Sequence, residues 1–259
     1  VVPGWDIVVV MCLRRILLGG LLLMLASMPA SAVERFIPVV AQTPGSGGAY
    51  WSTELWITNL SSRTGTYGLV FLPSGADNSE RLLRQAEPVE IVAGATHYLT
   101  GVVPPDSTGA LRIISSEGVV IQCHLYSVQG QGSEGQMVPA LKREEMIPVG
   151  SWGELVPLLR SSQYRTNVGL FNPTSRLLKV HAVLMNPDGK PVGQAEYSLE
   201  PGSQTQLNDF LLGFKVVHSD GHRVMLSGDG PFAAYASIVD ARTGSPAYVS
   251  PEIHGRESR

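Results

Sequence analysis

The sequence predicts an all-β protein: two tandem antiparallel β-sandwich units that arise from an internal duplication and follow a signal peptide. Three observations predict it. Short apolar runs alternate with polar residues and are cut by turn formers. Collinear stretches return after about 110 residues, the mark of a duplicated unit. The N-terminus carries a charged, then apolar, then small-residue segment that reads as an export address.

That address is the first element. In "MCLRRILLGGLLLMLASMPASA" (Met11–Ala32), Arg14 and Arg15 give a positive start and Ile16–Met28 an apolar stretch. Pro29-Ala30-Ser31-Ala32 then supplies the small residues a signal peptidase accepts. The apolar stretch falls short of the ~20 residues that span a bilayer, so cleavage after Ala32 is expected in preference to a retained anchor. The ten residues before Met11 do not fit such a segment, which points to Met11 as the start. Residues 1–32 are thus read as upstream residues plus signal peptide, with no membrane span after cleavage. The expected location is periplasmic, cell-surface or extracellular.

The remainder divides into repeats at 33–143 and 144–259. "RFIPVVAQ" (Arg35–Gln42) answers to "EMIPVGSW" (Glu145–Trp152), which pairs Ile37 with Ile147 and Val39 with Val149 as opening strands. "STELWITNLSS" (Ser52–Ser62) answers to "RTNVGLFNPTS" (Arg165–Ser175), matching Thr53 with Thr166 and Asn59 with Asn172. In both, Thr and apolar residues occupy alternate positions, a strand half-buried on one face. Each Asn closes its strand, where it suits the turn that follows. "YGLVFLP" and "KVHAVLMNP" are second strands ended by proline. "VEIVAGATHYLTGVV" and "YSLEPGSQTQLNDFL" each read as strand, glycine turn, strand. "GALRIISSEGVVIQCHLYSV" and "GHRVMLSGDGPFAAYASIV" close the two units, with Tyr126 matched to Tyr235.

Helical pattern is scarce. "SERLLRQA" (Ser79–Ala86) and "GELVPLLR" (Gly153–Arg160) each suit a turn or two, the second limited by Pro157. The charged stretch Leu141–Met146 marks the boundary, and each repeat is expected to fold alone on its own set of strands. This layout resembles the tandem immunoglobulin-like or fibronectin-III-like sandwiches exported by bacteria. The resemblance covers the chain beyond the signal segment and rests on pattern, since the Cys…Trp…Cys set of antibody domains is absent.

Composition excludes some functions. A formal net charge of −3 with no run of Lys and Arg argues against nucleic acid as a partner. Of two cysteines, Cys12 lies in the signal segment, and Cys123 sits on an apolar strand as a small buried hydrophobe. "GQGSEG" (Gly130–Gly135) has the spacing of a phosphate loop but opens no helix, so a hairpin loop is expected there. His218 and His222 in "HSDGH" stand four apart, yet Asp220-Gly221 breaks any helix and no third ligand is near. No catalytic residue, metal or cofactor is assigned.

Binding is read instead from aromatic residues. Tyr50, Trp51 and Trp56 flank a glycine-rich loop, and Tyr164 with Arg165 hold the matching places in the second repeat. Such residues stack on sugars or anchor protein partners when exposed, and otherwise cover a sheet face. The expected function is a non-catalytic exported binding or scaffold module for a protein or glycan at the cell envelope. Two other functions are compatible with the pattern. One is a two-domain periplasmic chaperone holding a carboxylate with Arg35 and Lys142; the other is a hydrolase whose triad assembles only in space.

Overall fold

The computed structural model describes residues 32–45, 48–129 and 132–255. Of the segment expected to be a signal peptide, all but Ala32, the first residue of β1, lies outside the described residues. The chain is nearly all β and antiparallel. The first half supplies β1 (Ala32–Pro44), β2 (Tyr50–Asn59), β3 (Gly65–Pro73), β4 (Val89–Ile91), β5 (Thr96–Thr100), β6 (Ser107–Ser116), β7 (Val119–Gln129) and β8 (Gly132–Val138). The second supplies β9 (Trp152–Arg160), β10 (Tyr164–Phe171), β11 (Leu178–Met185), β12 (Pro191–Leu199), β13 (Gln204–Leu207), β14 (Ser219–Gly228), β15 (Ala233–Asp240), β16 (Pro246–Val249) and β17 (Glu252–His254). Two short helices, α1 (Ser79–Leu83) and α2 (Phe210–Gly213), sit between strands.

The pairing order recurs. In the first half β4-β3-β6-β1 forms one layer and β5-β2-β7-β8 the other; β1 joins them, because Thr43 and Pro44 pair with Trp51 and Tyr50 of β2. In the second half β12-β11-β14-β9, extended by β17, faces β13-β10-β15-β16. Each pair of layers closes on its own core. Ile37, Leu55, Ile57, Leu111, Ile113, Ile121 and Cys123 fill the first. Leu155, Leu170, Val180, Leu184, Val224 and Leu226 fill the second.

The two recurring polar side chains explain why their stretch repeats. Thr53 and Thr166 are buried, and each hydroxyl takes over a missing backbone pairing between layers. Thr53 Oγ1 accepts from the Ala41 amide at 2.9 Å and donates to the Ala41 carbonyl at 2.9 Å. Thr166 Oγ1 does the same with Leu159, at 2.9 and 2.8 Å. The asparagines are equally matched. Asn59 Nδ2 donates to the carbonyls of Arg63 and Ile91, while Oδ1 accepts from the Ser61 amide and hydroxyl. Asn172 Nδ2 donates to Arg176, Leu199 and Glu200, while Oδ1 accepts from the Thr174 amide and hydroxyl. A fully buried amide in each half thus satisfies a turn that would otherwise bury orphaned backbone groups.

Three local expectations are corrected. "GELVPLLR" is strand β9, not a helical turn: Gly153, Leu155 and Leu158 point inward, and the alternation suits a sheet. "EMIPVGSW" does not repeat the opening strand. Glu145 ends a 3-10 turn (Arg143–Glu145), and Val149 is 63% exposed while Val39 is buried in β1. The Thr53–Ala41 and Thr166–Leu159 bonds make β9 the counterpart of β1. Tyr126 and Tyr235 are not equivalent either. Tyr126 lies opposite Ser52, whereas Tyr235 lies opposite Gly169, four positions further along the matched strands. Sequence spacing alone cannot see these shifts, because loop lengths differ between the halves.

Residues Val33–Arg259 gather into one compact unit. A third apolar cluster of Phe36, Val70, Leu72, Leu82, Ala110, Met146, Phe171 and Ala233 draws on both halves. The Phe36 and Phe171 rings meet at 5.4 Å, an arrangement that adds about 0.5–1.5 kcal/mol beyond their buried area. Around it the chain after β3 caps the β12–β13 turn. Asn78 N–H donates to Pro201 O, Gly75 N–H to Ser203 Oγ, and Ser74 Oγ to Gln204 O.

Removing the buried polar ties should be costly in proportion to what each leaves unpaired. Asn172→Ala orphans buried carbonyls and one amide, and should lose about 3 kcal/mol in chemical denaturation. Thr166→Val should lose about 2 kcal/mol. Thr58→Val, which breaks only an exposed hydroxyl pair with Thr96, should change stability by less than about 0.5 kcal/mol. Equal effects at all three positions would refute this ranking.

Candidate functional site

Alternation along β10, β13 and β15 sorts their residues between two environments. Thr166, Val168, Leu170, Ala234 and Ala236 face the second core. Arg165, Asn167, Gln204, Gln206, Ser237 and Val239 face away from it and line a cleft of about 670 Å³ against the first half. The opposite wall comes from Val39, Val40, Ala41, Thr43, Trp51, Ser74, Thr108, Leu125 and Gln136. Asn208 lies at its edge.

Tyr235 anchors this wall. It is fully buried and packs into the first core, beside Tyr248 with rings stacked 5.4 Å apart. Its ring lies flat on β10 at Gly169, where a Cβ would come 2.0 Å from the ring carbons. Only a residue without a side chain permits that approach. The phenol accepts from Gln204 Nε2 at 3.2 Å and donates to Gln206 Oε1 at 3.1 Å. Gln206 Nε2 in turn donates to Asn208 Oδ1 at 2.8 Å. Burial raises the tyrosine pKa far above neutrality, so the phenol stays a donor at ordinary pH. Across the cleft Ser237 Oγ donates to Gln136 Oε1 at 3.1 Å, and Asn167 Oδ1 accepts from the Asp209 amide. The lining therefore presents five carboxamides, hydroxyls, one indole and one guanidinium. It has no carboxylate, imidazole or thiol among the described residues.

The sequence-assigned residues divide between this cleft and the opposite surface. Trp51 and Arg165 line the cleft together. Trp56, five positions from Trp51, points to the other side of β2 and meets Tyr98 at 5.3 Å, the rings tilted by 35°. Tyr50 lies at the exposed start of β2 opposite Val128. Tyr164 is one residue out of phase with Arg165 and sits opposite Asp240. The carboxamides escaped the sequence reading. Their signal was present in "SQTQLND", where Gln204, Gln206 and Asn208 alternate on one strand face.

The remaining candidates are placed as follows. Cys123 is buried and its thiol is pushed up to about 12, chiefly by burial, with the Glu54 charge adding to it. His222 bonds Ser219 Oγ at 2.9 Å, and His218 pairs with Asp220 at 3.1 Å in solvent. Among the described residues no three potential metal ligands converge. Of the glycine-rich stretch, Gly132–Gly135 lie in β8, paired with β7, while Gly130 and Gln131 of the expected hairpin loop lie outside the described residues. Arg35 and Lys142 flank the Phe36–Leu141 bridge but diverge. Arg35 Nη1 donates to Ser115 Oγ at 3.2 Å, and Lys142 reaches Glu144 at 3.8 Å.

Between them Glu34 is held by two arginines, Arg112 at 2.6 Å and Arg143 at 2.8 Å. Arg143 also donates to Pro173 O and covers the Phe36 ring at 4.9 Å, so this charge cluster ties both halves. Burial disfavours the Glu34 carboxylate most strongly, but the two guanidiniums together outweigh it and hold its pKa below the usual range.

Comparison with known proteins assigns no family. No family model matches the chain, and no curated protein matches it. Among solved structures, the crystal structure of Thermotoga maritima 1070 aligns over 43% of this chain and 98% of its own, at 14% identity and a TM-score of 0.35. Bacteroides uniformis β-glucuronidase 2, covalently bound to cyclophellitol-6-carboxylate aziridine, aligns over 78% of this chain and 24% of its own, at 8% identity and a TM-score of 0.16. Likenesses this slight give the chain neither a family nor an activity.

The Glu34 cluster makes a pH prediction. A carboxylate with a lowered folded-state pKa stabilises above its unfolded value, and that contribution disappears as pH falls through the folded value. Glu34→Gln should therefore cost about 1–2 kcal/mol at pH 7. In denaturation series from pH 7 to pH 3, the gap between variant and parent should close at the acid end. A gap independent of pH would show that the carboxylate charge is not what holds the cluster.

Proposed function

We propose that this is an exported, non-catalytic binding module whose ligand lies in the cleft between the halves. The cleft's lining carries the proposal. Carboxamides on both walls, hydroxyls, Trp51 and Arg165 recognise a polar ligand such as a short glycan or peptide segment through hydrogen bonds and one stacking surface. The non-catalytic reading draws support from how its hydroxyls are used. Ser237 donates to Gln136 and Ser74 to a backbone carbonyl, with no imidazole or carboxylate in the lining to activate either. The export reading draws on the Met11–Ala32 pattern, and the duplication on the recurring strand order with its matched Thr and Asn ties. On this reading 33–143 and 144–259 are two sandwich units of immunoglobulin-like type.

Trp51 in the cleft wall offers a direct readout. Titration with a panel of short oligosaccharides and peptides should give saturable changes in tryptophan fluorescence with at least one member. That response should vanish in Trp51→Phe at the Trp51 emission, and the affinity should fall about tenfold in Gln206→Ala. Turnover of any panel member, or binding indifferent to both substitutions, would contradict the proposal.

A further inference from the structure

The cleft wall of the second half has a counterpart in the first. Aligning the strands on the Thr53 and Thr166 ties places Glu54 with Asn167, Trp56 with Gly169, Tyr98 with Gln206, His124 with Ser237 and Tyr126 with Val239. In the second half these positions face the first half across the cleft. In the first half the same face of β5-β2-β7-β8 opens to solvent, and it carries rings where its counterpart carries Gly169, Gln206, Ser237 and Val239. Aromatic residues suit strands in any case, so what marks this face is how its rings are arranged.

The rings are also held in place. Tyr98 is 55% exposed, and its hydroxyl donates to Glu54 Oε2 at 2.6 Å. Trp56 lies directly across from it on β2, the rings 5.3 Å apart. Glu54 Oε1 meets His124 Nδ1 at 2.9 Å, and the His124 ring stacks on Tyr126 at 5.1 Å and 17°. At Gly135 on β8 a Cβ would come 2.3 Å from His124 Nε2, so bare backbone is what lets that ring lie down on the sheet. The result is two aromatic stations, Trp56 with Tyr98 and His124 with Tyr126. Along the strands His124 lies about 7 Å and Tyr126 about 14 Å from the level of Trp56, at roughly 3.4 Å per residue. Gln122, Thr58, Thr96 and Thr100 lie beside the first station, and the Glu54 carboxylate lies between the two.

We infer that this open sheet face is a second binding surface, one that takes an uncharged polysaccharide chain. Rings held in place along one direction match the apolar faces of successive sugar residues, while the Glu54 carboxylate between the stations and the Gln122 carboxamide beside the first match hydroxyls. Charge narrows the class. No Lys or Arg occurs on β2, β5, β7 or β8, and the Glu54 carboxylate lies between the rings, so nucleic acids, anionic lipids and acidic glycans meet no compensating charge. A protein partner would favour a contiguous apolar centre, and here polar residues separate the two stations. The inference shares with the proposed function the premise of a binding module, but it rests on a different surface.

The test is retention of the purified protein on insoluble chitin, cellulose, curdlan and mannan. At least one should retain it. Trp56→Ala and Tyr98→Ser should each weaken that retention about tenfold, and Leu83→Ser, exposed on α1, should not. Trp56→Phe keeps a ring and should recover part of the binding, which separates loss of stacking from loss of fold. Absence of retention on all four, or retention indifferent to both substitutions, would overturn the inference. Retention on casein-coated beads through Trp56, without any on the polysaccharides, would overturn it in favour of a protein partner. Neither ring lines the cleft, so either surface can fail its test while the other stands.

Discussion

Tyr235 lying across Gly169 is the contact on which the join between the halves depends. A tyrosine on a sheet face ordinarily stands away from the strands, but here the facing residue has no side chain and the ring folds down onto backbone. That places the ring in the first core while its strand belongs to the second, and it brings the phenol between Gln204 and Gln206. The carboxamide row of the cleft is thereby fixed from beneath. The Phe36–Phe171 contact and the Glu34 charge cluster close the same join elsewhere, so the cleft walls have several independent supports.

Much of the architecture was legible in the sequence, for a physical reason. Period-2 alternation and turn residues report directly on half-buried strands, and the all-β antiparallel reading follows from them. Thr53, Thr166, Asn59 and Asn172 stood out because a buried polar group tolerates few substitutes, so its place recurs wherever the same turn is built. What escaped was register. Ile147 and Val149 copy the letters of Ile37 and Val39 without copying their place, since the 3-10 turn at Arg143–Glu145 and a different loop length shift the true opening strand to Trp152–Arg160.

The site was legible only in part. Trp51 and Arg165 were found as an aromatic and a cation in matched neighbourhoods, and they do line one cleft. That Trp51 and Trp56 face opposite sides of β2 follows from their odd spacing and was available from the sequence alone. The partners of Trp56 were not. Tyr98, Glu54, His124 and Tyr126 come from three strands far apart in the chain, and only cross-strand pairing brings them into one row. The two halves use the same sheet face in different ways, as an enclosed wall of amides in one and an open row of rings in the other.

Bare backbone at Gly169 seats Tyr235 and so locks the second sheet against the first half. Equilibrium chemical denaturation of Gly169→Ala measures it most directly. The added methyl meets the ring in a packed core, and a loss of about 2–3 kcal/mol relative to the parent protein is expected. A Gly169→Ala protein as stable as its parent would show that Gly169 does not seat Tyr235, since the ring would then have an equally good place elsewhere.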